Sequence, residues 1–223
     1  MPTLGRARDW DVFCIWLAGE AKRAGEARTD LRAVLARARQ RRSAARRAAR
    51  ELVASWRFQR LLLRALRWLT EAPWAGRAAA REVPLAELAR ASLGRLHRKT
   101  VRHGHGIDWE DVERRHALRV KVKRLRYASG FFAPSFARAA TRPYLRRLQG
   151  LQEILGELND VAVARRLLAA VVPRAPAPGH RAGTPLRRAL AAREAALIAS
   201  LEPAWHAFRK RRPFWEEARR ARG

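Results

Sequence analysis

Apolar residues recur along most of the chain at spacings of three and four, the period of helices that bury one face. Leu118, Val122 and Leu125 mark such a face within 109–132, and Leu85, Leu93 and Leu96 mark another within 84–102. Alternating β-branched runs, which would signal strands, are almost absent. The pattern predicts helices near 9–24, 29–54, 56–70, 84–102, 109–132, 142–171, 186–200 and 201–211. Expected breaks fall at Gly25, at Pro73 with Gly76, at the HGHG of 103–106 and at Pro134. The stretch VPRAPAPGHRAGTP at 172–185 holds too much Pro and Gly to continue a helix. Asp108 is the expected N-cap of the helix near 109, with Glu110 and Asp111 favoured by the positive end of its dipole. The fold class is all-α.

The chain also repeats itself. LGRARDWDV at 4–12 aligns with LGELNDVAV at 155–163, sharing Leu, Gly, Asp and Val at an offset of 151. Leu52, Trp56 and Phe58 echo Leu201, Trp205 and Phe208 at nearly the same offset. Two matches in the same order point to a duplicated helical unit. The expected division is 1–76, the remainder of a first repeat, and 77–223, a second repeat.

Charge changes the picture more than composition does. Lys and Arg number 49 against 20 Asp and Glu, a net charge of +29. Self-repulsion on that scale opposes compaction, and a bound polyanion would relieve it. Part of the Arg and Ala excess is what a GC-rich genome produces, but genome bias does not choose helix faces. At 100° per residue, His116, Arg119, Lys123 and Arg126 fall within about an 80° arc, away from Leu118, Val122 and Leu125. No acid lies between Glu113 and Glu153 to neutralise this row. Arg95, Arg98 and Arg102 form a second row on the preceding helix, and a short loop would pair the two helices antiparallel. The expectation is one groove lined by both rows. A single charged row is more often just a solvated face; two rows and the net charge favour an anion site. Tyr127 is the one aromatic residue beside the row, too few for base stacking, so phosphate without bases fits better than nucleic acid.

The string HALRVKVKRLRY at 116–127 resembles the signature of the CHAD family, the conserved histidine α-helical domain. PLAELARASLGRLHRKTVRHG before it, YLRRLQGLQEILGELNDV after it and the closing WHAFRKRRPFW agree with the same pattern. The resemblance implies two related helical bundles facing a basic cleft that binds inorganic polyphosphate, without catalysis, and that can sit on polyphosphate granules. Carried over by position, His116, Arg119, Lys123 and Arg126 would face the polyphosphate. Arg115, Arg124 and Tyr127 on the same helix, and Arg95, Arg98 and Arg102 before it, complete the expected set. Asn159 and Asp160 match the Leu-Gly-x-x-Asn-Asp element and are expected to act in capping.

The first repeat departs from the family pattern. An offset of 151 would place its own copy of 116–127 before Met1. The expectation is therefore self-association, or a partner chain that supplies the missing helices. The alternatives are a nucleic-acid-binding helical protein and a remnant that acts only with a partner.

Other chemistry finds little support. Cys14 is the single cysteine, which excludes an intramolecular disulfide and a cysteine zinc cluster, and its apolar neighbours predict a core position. His97, His103 and His105 lack the Cys or carboxylate that would complete a metal shell, so neither metal nor cofactor is expected. Asp9 and Asp11 are expected at a helix start, where the dipole accounts for them. No phosphate-binding loop or Ser-His-Asp arrangement is present, and no apolar run approaches the length of a membrane span. The expected location is cytoplasmic.

Overall fold

The computed structural model describes residues 2–23, 29–73, 83–173, 177 and 179–217. Among them are eight α-helices and no strand: α1 (Pro2–Arg23), α2 (Thr29–Ala54), α3 (Trp56–Glu71), α4 (Leu85–Gly104), α5 (Val112–Phe132), α6 (Arg138–Val171), α7 (Gly183–Lys210) and α8 (Phe214–Glu217). Short 3₁₀ turns cover Ala133–Ser135 and His180–Ala182. The all-α reading stands.

Several boundaries differ from those read off the sequence. The first helix starts at Pro2, so Asp9 and Asp11 lie in its interior, paired with Arg166 and Arg46 rather than with a helix dipole. The cap of α5 is Asp111, whose Oδ1 accepts the Arg114 N–H at 3.0 Å; Asp108 instead accepts the Glu110 N–H inside the preceding turn. A single helix, α7, replaces the two predicted over 186–211 and runs through Pro203. Proline inside a helix costs about 3 kcal/mol. Burial of Leu201, Trp205 and Phe208 around it offsets that cost. The predicted breaks at Gly25 and Gly76 lie outside the described residues.

The chain forms two compact units, residues 1–76 with 160–193 and residues 77–159 with 194–223. Contacts thus draw 160–193 together with the N-terminal helices, and both α6 and α7 contribute to two units. In the first unit α1 packs on α2. Its buried residues include Trp10, Phe13, Cys14, Leu17, Leu31 and Val34, with Leu167, Leu168, Leu186 and Leu190 from the later helices. Asp30 Oδ1 accepts the Gly179 N–H at 2.6 Å and ties the turn before α7 to the start of α2. The apolar residues of α3 remain on the surface: Trp56, Leu61, Leu62, Leu63, Leu66, Trp68 and Leu69 are all exposed.

The second unit is a bundle of α4, α5, α8 and the adjoining parts of α6 and α7 around Leu93, Leu118, Val122, Leu125, Tyr144, Leu148, Leu155, Trp205, Phe208 and Phe214. Each such side chain contributes on the order of 1.5–3 kcal/mol by leaving water. Each glycine of the HGHG turn has its own reason, packing at Gly104 and backbone conformation at Gly106. A Cβ at Gly104 would overlap the Trp205 ring, and Gly106 has φ +62°, which favours a residue without a side chain. Among the described residues no helix is long and apolar enough to cross a membrane.

Candidate anion-binding site

A helix as basic as α5 folds because its buried stripe is complete. Leu118, Val122 and Leu125 are each 0% exposed. Arg115 shares this stripe, and here the structure corrects the expectation that it contacts ligand. Its side chain is buried, with Nη2 2.5 Å from Glu194 Oε1. A cation held in the core against a carboxylate is a structural group, unavailable to an anion outside.

The row His116, Arg119, Lys123 and Arg126 lies beside that stripe, on the flank that meets α6. His116 Nδ1 is 2.9 Å from Asn159 Oδ1. An amide oxygen only accepts, so Nδ1 carries the proton and Nε2 is the ring nitrogen left for other contacts. Nearly three turns further along α5, Arg126 Nε donates to Gln152 Oε1 at 2.7 Å. Lys123 and Arg126 lie 5.7 and 5.2 Å from the centre of the exposed Tyr127 ring, near enough for cation–π attraction. Arg119 is half-buried, and its Nε is buried with no hydrogen-bond partner. Arg124 and Tyr127 are exposed, Arg124 on the outer side of the helix. The partners of the row are thus amides and an aromatic ring, which orient cations without cancelling their charge.

Asn159 is the residue sequence reasoning misjudged. It was visible in the Leu-Gly-x-x-Asn-Asp element, but as a capping group; in the structure it fixes the histidine.

The α4 cations go elsewhere. Arg95, Arg98 and Arg102 are exposed and, with Lys99, edge an open depression of about 430 Å³. A second groove of about 610 Å³ runs between α4 and α5, lined by Lys99, Arg102, His103, Arg114 and Lys121. Arg114 and Lys121 project from α5 about 150° or more around the axis from the centre of the His116 row. The expected single groove is therefore two surfaces on opposite flanks of α5, and Arg95, Arg98 and Arg102 belong with the second.

The histidines considered for metal are dispersed. His103 Nε2 is 3.3 Å from the Arg114 carbonyl oxygen, closing the α4–α5 turn. His97 packs edge-on against Tyr144, Phe208 and Trp215, and burial, then the charge of Arg98, holds its imidazole below the usual range. Among the described residues no three His, Cys, Asp or Glu side chains converge on a possible metal position. Cys14 is buried, and burial pushes its thiol up.

Comparison with known proteins gives the same assignment from another direction. The chain matches the family model of the CHAD domain over residues 1–169. It superposes on the crystal structure of the CHAD domain from the plant Ricinus communis with a TM-score of 0.73 at 30% identity, covering 92% of this chain and 68% of that one. No curated protein matches. CHAD domains are linked in general to polyphosphate binding and are not known as a catalytic fold. The signature row on α5, the helical architecture and the family match together place this chain in the CHAD family.

Proposed function

We propose that the chain binds inorganic polyphosphate, without chemical turnover, along the α5 row of His116, Arg119, Lys123 and Arg126. The observation that carries the reading is the character of the row's partners: Asn159 and Gln152 orient His116 and Arg126 and leave the row's charge intact. The unpartnered Nε of Arg119 adds a donor that a phosphate oxygen would satisfy. Nucleic acid fits less well, because Tyr127, the aromatic residue beside the row, already lies beneath two cations.

Arg119→Ala with Lys123→Ala tests the site. Affinity for long-chain polyphosphate should fall at least tenfold, and its salt dependence should flatten as fewer counterions are released. Unchanged affinity in a helical double variant would remove the row from the site. Polyphosphate that fails to displace RNA or DNA at equal phosphate concentration would favour nucleic acid instead. The cellular extension of the proposal is a cytoplasmic protein recruited to polyphosphate granules, checked by whether a fluorescent fusion follows granules and loses them in the double variant. A second chain remains part of the proposal, because the exposed apolar residues of α3 offer it a surface. Strictly monomeric behaviour in light scattering at micromolar concentration would count against that extension.

A further inference from the structure

We propose that the groove between α4 and α5 is a second phosphate-binding site, separate from the signature row and able to take a short run of a phosphate chain. The ligand class rests on the reading above; the site does not. Five residues line the groove, namely Lys99, Arg102, His103, Arg114 and Lys121, and none is acidic. Among the described residues Lys99, Arg102 and Lys121 form no ion pair, and Arg114 alone has a weak one, to Asp111 at 3.5 Å. Cations gathered at this density repel one another, so the groove favours an occupant that carries several negative charges in a small volume. About 610 Å³ is ample for three or four phosphate groups.

The groove is built rather than incidental. The contact of His103 Nε2 with the Arg114 carbonyl oxygen ties the α4 wall to the α5 wall and leaves Nδ1 as the ring's other polar atom. Gly104, pressed against Trp205, holds this end of α4 on the bundle. Arg102 and Lys99 also line the depression edged by Arg95 and Arg98, so a chain ligand has a cationic path along α4. Two sites on opposite flanks of one helix have a functional consequence. A short phosphate ligand occupies them independently, whereas a chain long enough to reach both gains avidity without any new contact. The pair of sites thus confers preference for long chains.

Calorimetry with inorganic triphosphate and with long-chain polyphosphate tests this on four proteins of matched helicity: the unsubstituted chain, Lys99→Ala/Lys121→Ala, Arg119→Ala/Lys123→Ala, and the charge control Arg146→Ala/Arg147→Ala on α6. The expected result is that the groove variant loses one set of triphosphate sites and binds long chains about tenfold more weakly. The charge control should stay within about twofold of the unsubstituted chain. A groove variant that binds both ligands as the control does overturns the groove and leaves the α5 row standing. An Arg119/Lys123 variant indistinguishable from the control, beside a groove variant that has lost binding, leaves the groove standing and overturns the row.

Discussion

His116 and Asn159 stand 43 residues apart in the chain, and their side chains meet at 2.9 Å across α5 and α6. The contact fixes the proton on Nδ1 and leaves Nε2 as the ring nitrogen without that partner, and it does so with a neutral group. Asn159→Asp keeps the size and adds a negative charge beside the row. Polyphosphate affinity should drop about fivefold, corresponding to about 1 kcal/mol, with little change in thermal stability. Binding equal to that of the unsubstituted protein would mean that the row does not contact phosphate at this point.

Arg115 answers to different physics. Removing one member of a buried ion pair leaves the other uncompensated, so Arg115→Ala should cost about 3–5 kcal/mol of folding stability. Replacing both members by apolar residues, as in Arg115→Met/Glu194→Leu, should recover most of that loss. Polyphosphate affinity of the recovered protein should match the original. Denaturant unfolding and a binding isotherm on the same samples check both halves.

Tyr144 is 0% exposed, and its hydroxyl is buried with no hydrogen-bond partner. Tyr144→Phe removes a desolvated polar atom and little volume, so stability near neutral pH should hold or rise by up to about 1 kcal/mol. Burial, then the charge of Glu216, pushes the phenol far above its ordinary value. Only the unfolded chain loses this proton near pH 10, so alkali draws the equilibrium toward unfolding, and stability falls as pH rises past about 10. Chemical denaturation at pH 8 and pH 11 should show a smaller loss for Tyr144→Phe than for the unsubstituted protein. Equal losses would show that Tyr144 ionises as easily folded as unfolded.

His97 produces the mirror case on the acid side. Its imidazole is held below the usual range, so the unfolded chain takes up the proton first and stability falls as pH drops below about 6.5. His97→Leu should flatten the stability profile between pH 7 and pH 5. A slope unchanged by the substitution would assign the acid sensitivity to other groups.

Which parts of this were readable beforehand follows from where the information lies. The buried stripe of α5 is written in Leu118, Val122 and Leu125, because periodicity within one helix is local. The flank on which each neighbour sits is not local. A helical wheel places Lys121 and Arg119 on different sides of α5, yet only tertiary packing shows that α4 takes one side and α6 the other. Arg115 reads as one more cation in a basic run, since its partner Glu194 lies 79 residues away. Asp108 and Asp111 are equivalent candidates by type, and the turn geometry decided between them. The joining of the predicted helices 186–200 and 201–211 into one was not local either, because the apolar contacts around Leu201, Trp205 and Phe208 come from other elements.

The first compact unit closes only with residues 160–193, and the second only with 194–223. During synthesis, then, α1, α2 and α3 leave the ribosome long before the segment that completes their packing. More than eighty residues, with 18 Lys and Arg against 8 Asp and Glu, separate the two and are made while the first three helices still wait. Neither unit is one contiguous stretch, so folding of the first waits for residues 160–193 and folding of the second for residues 194–223.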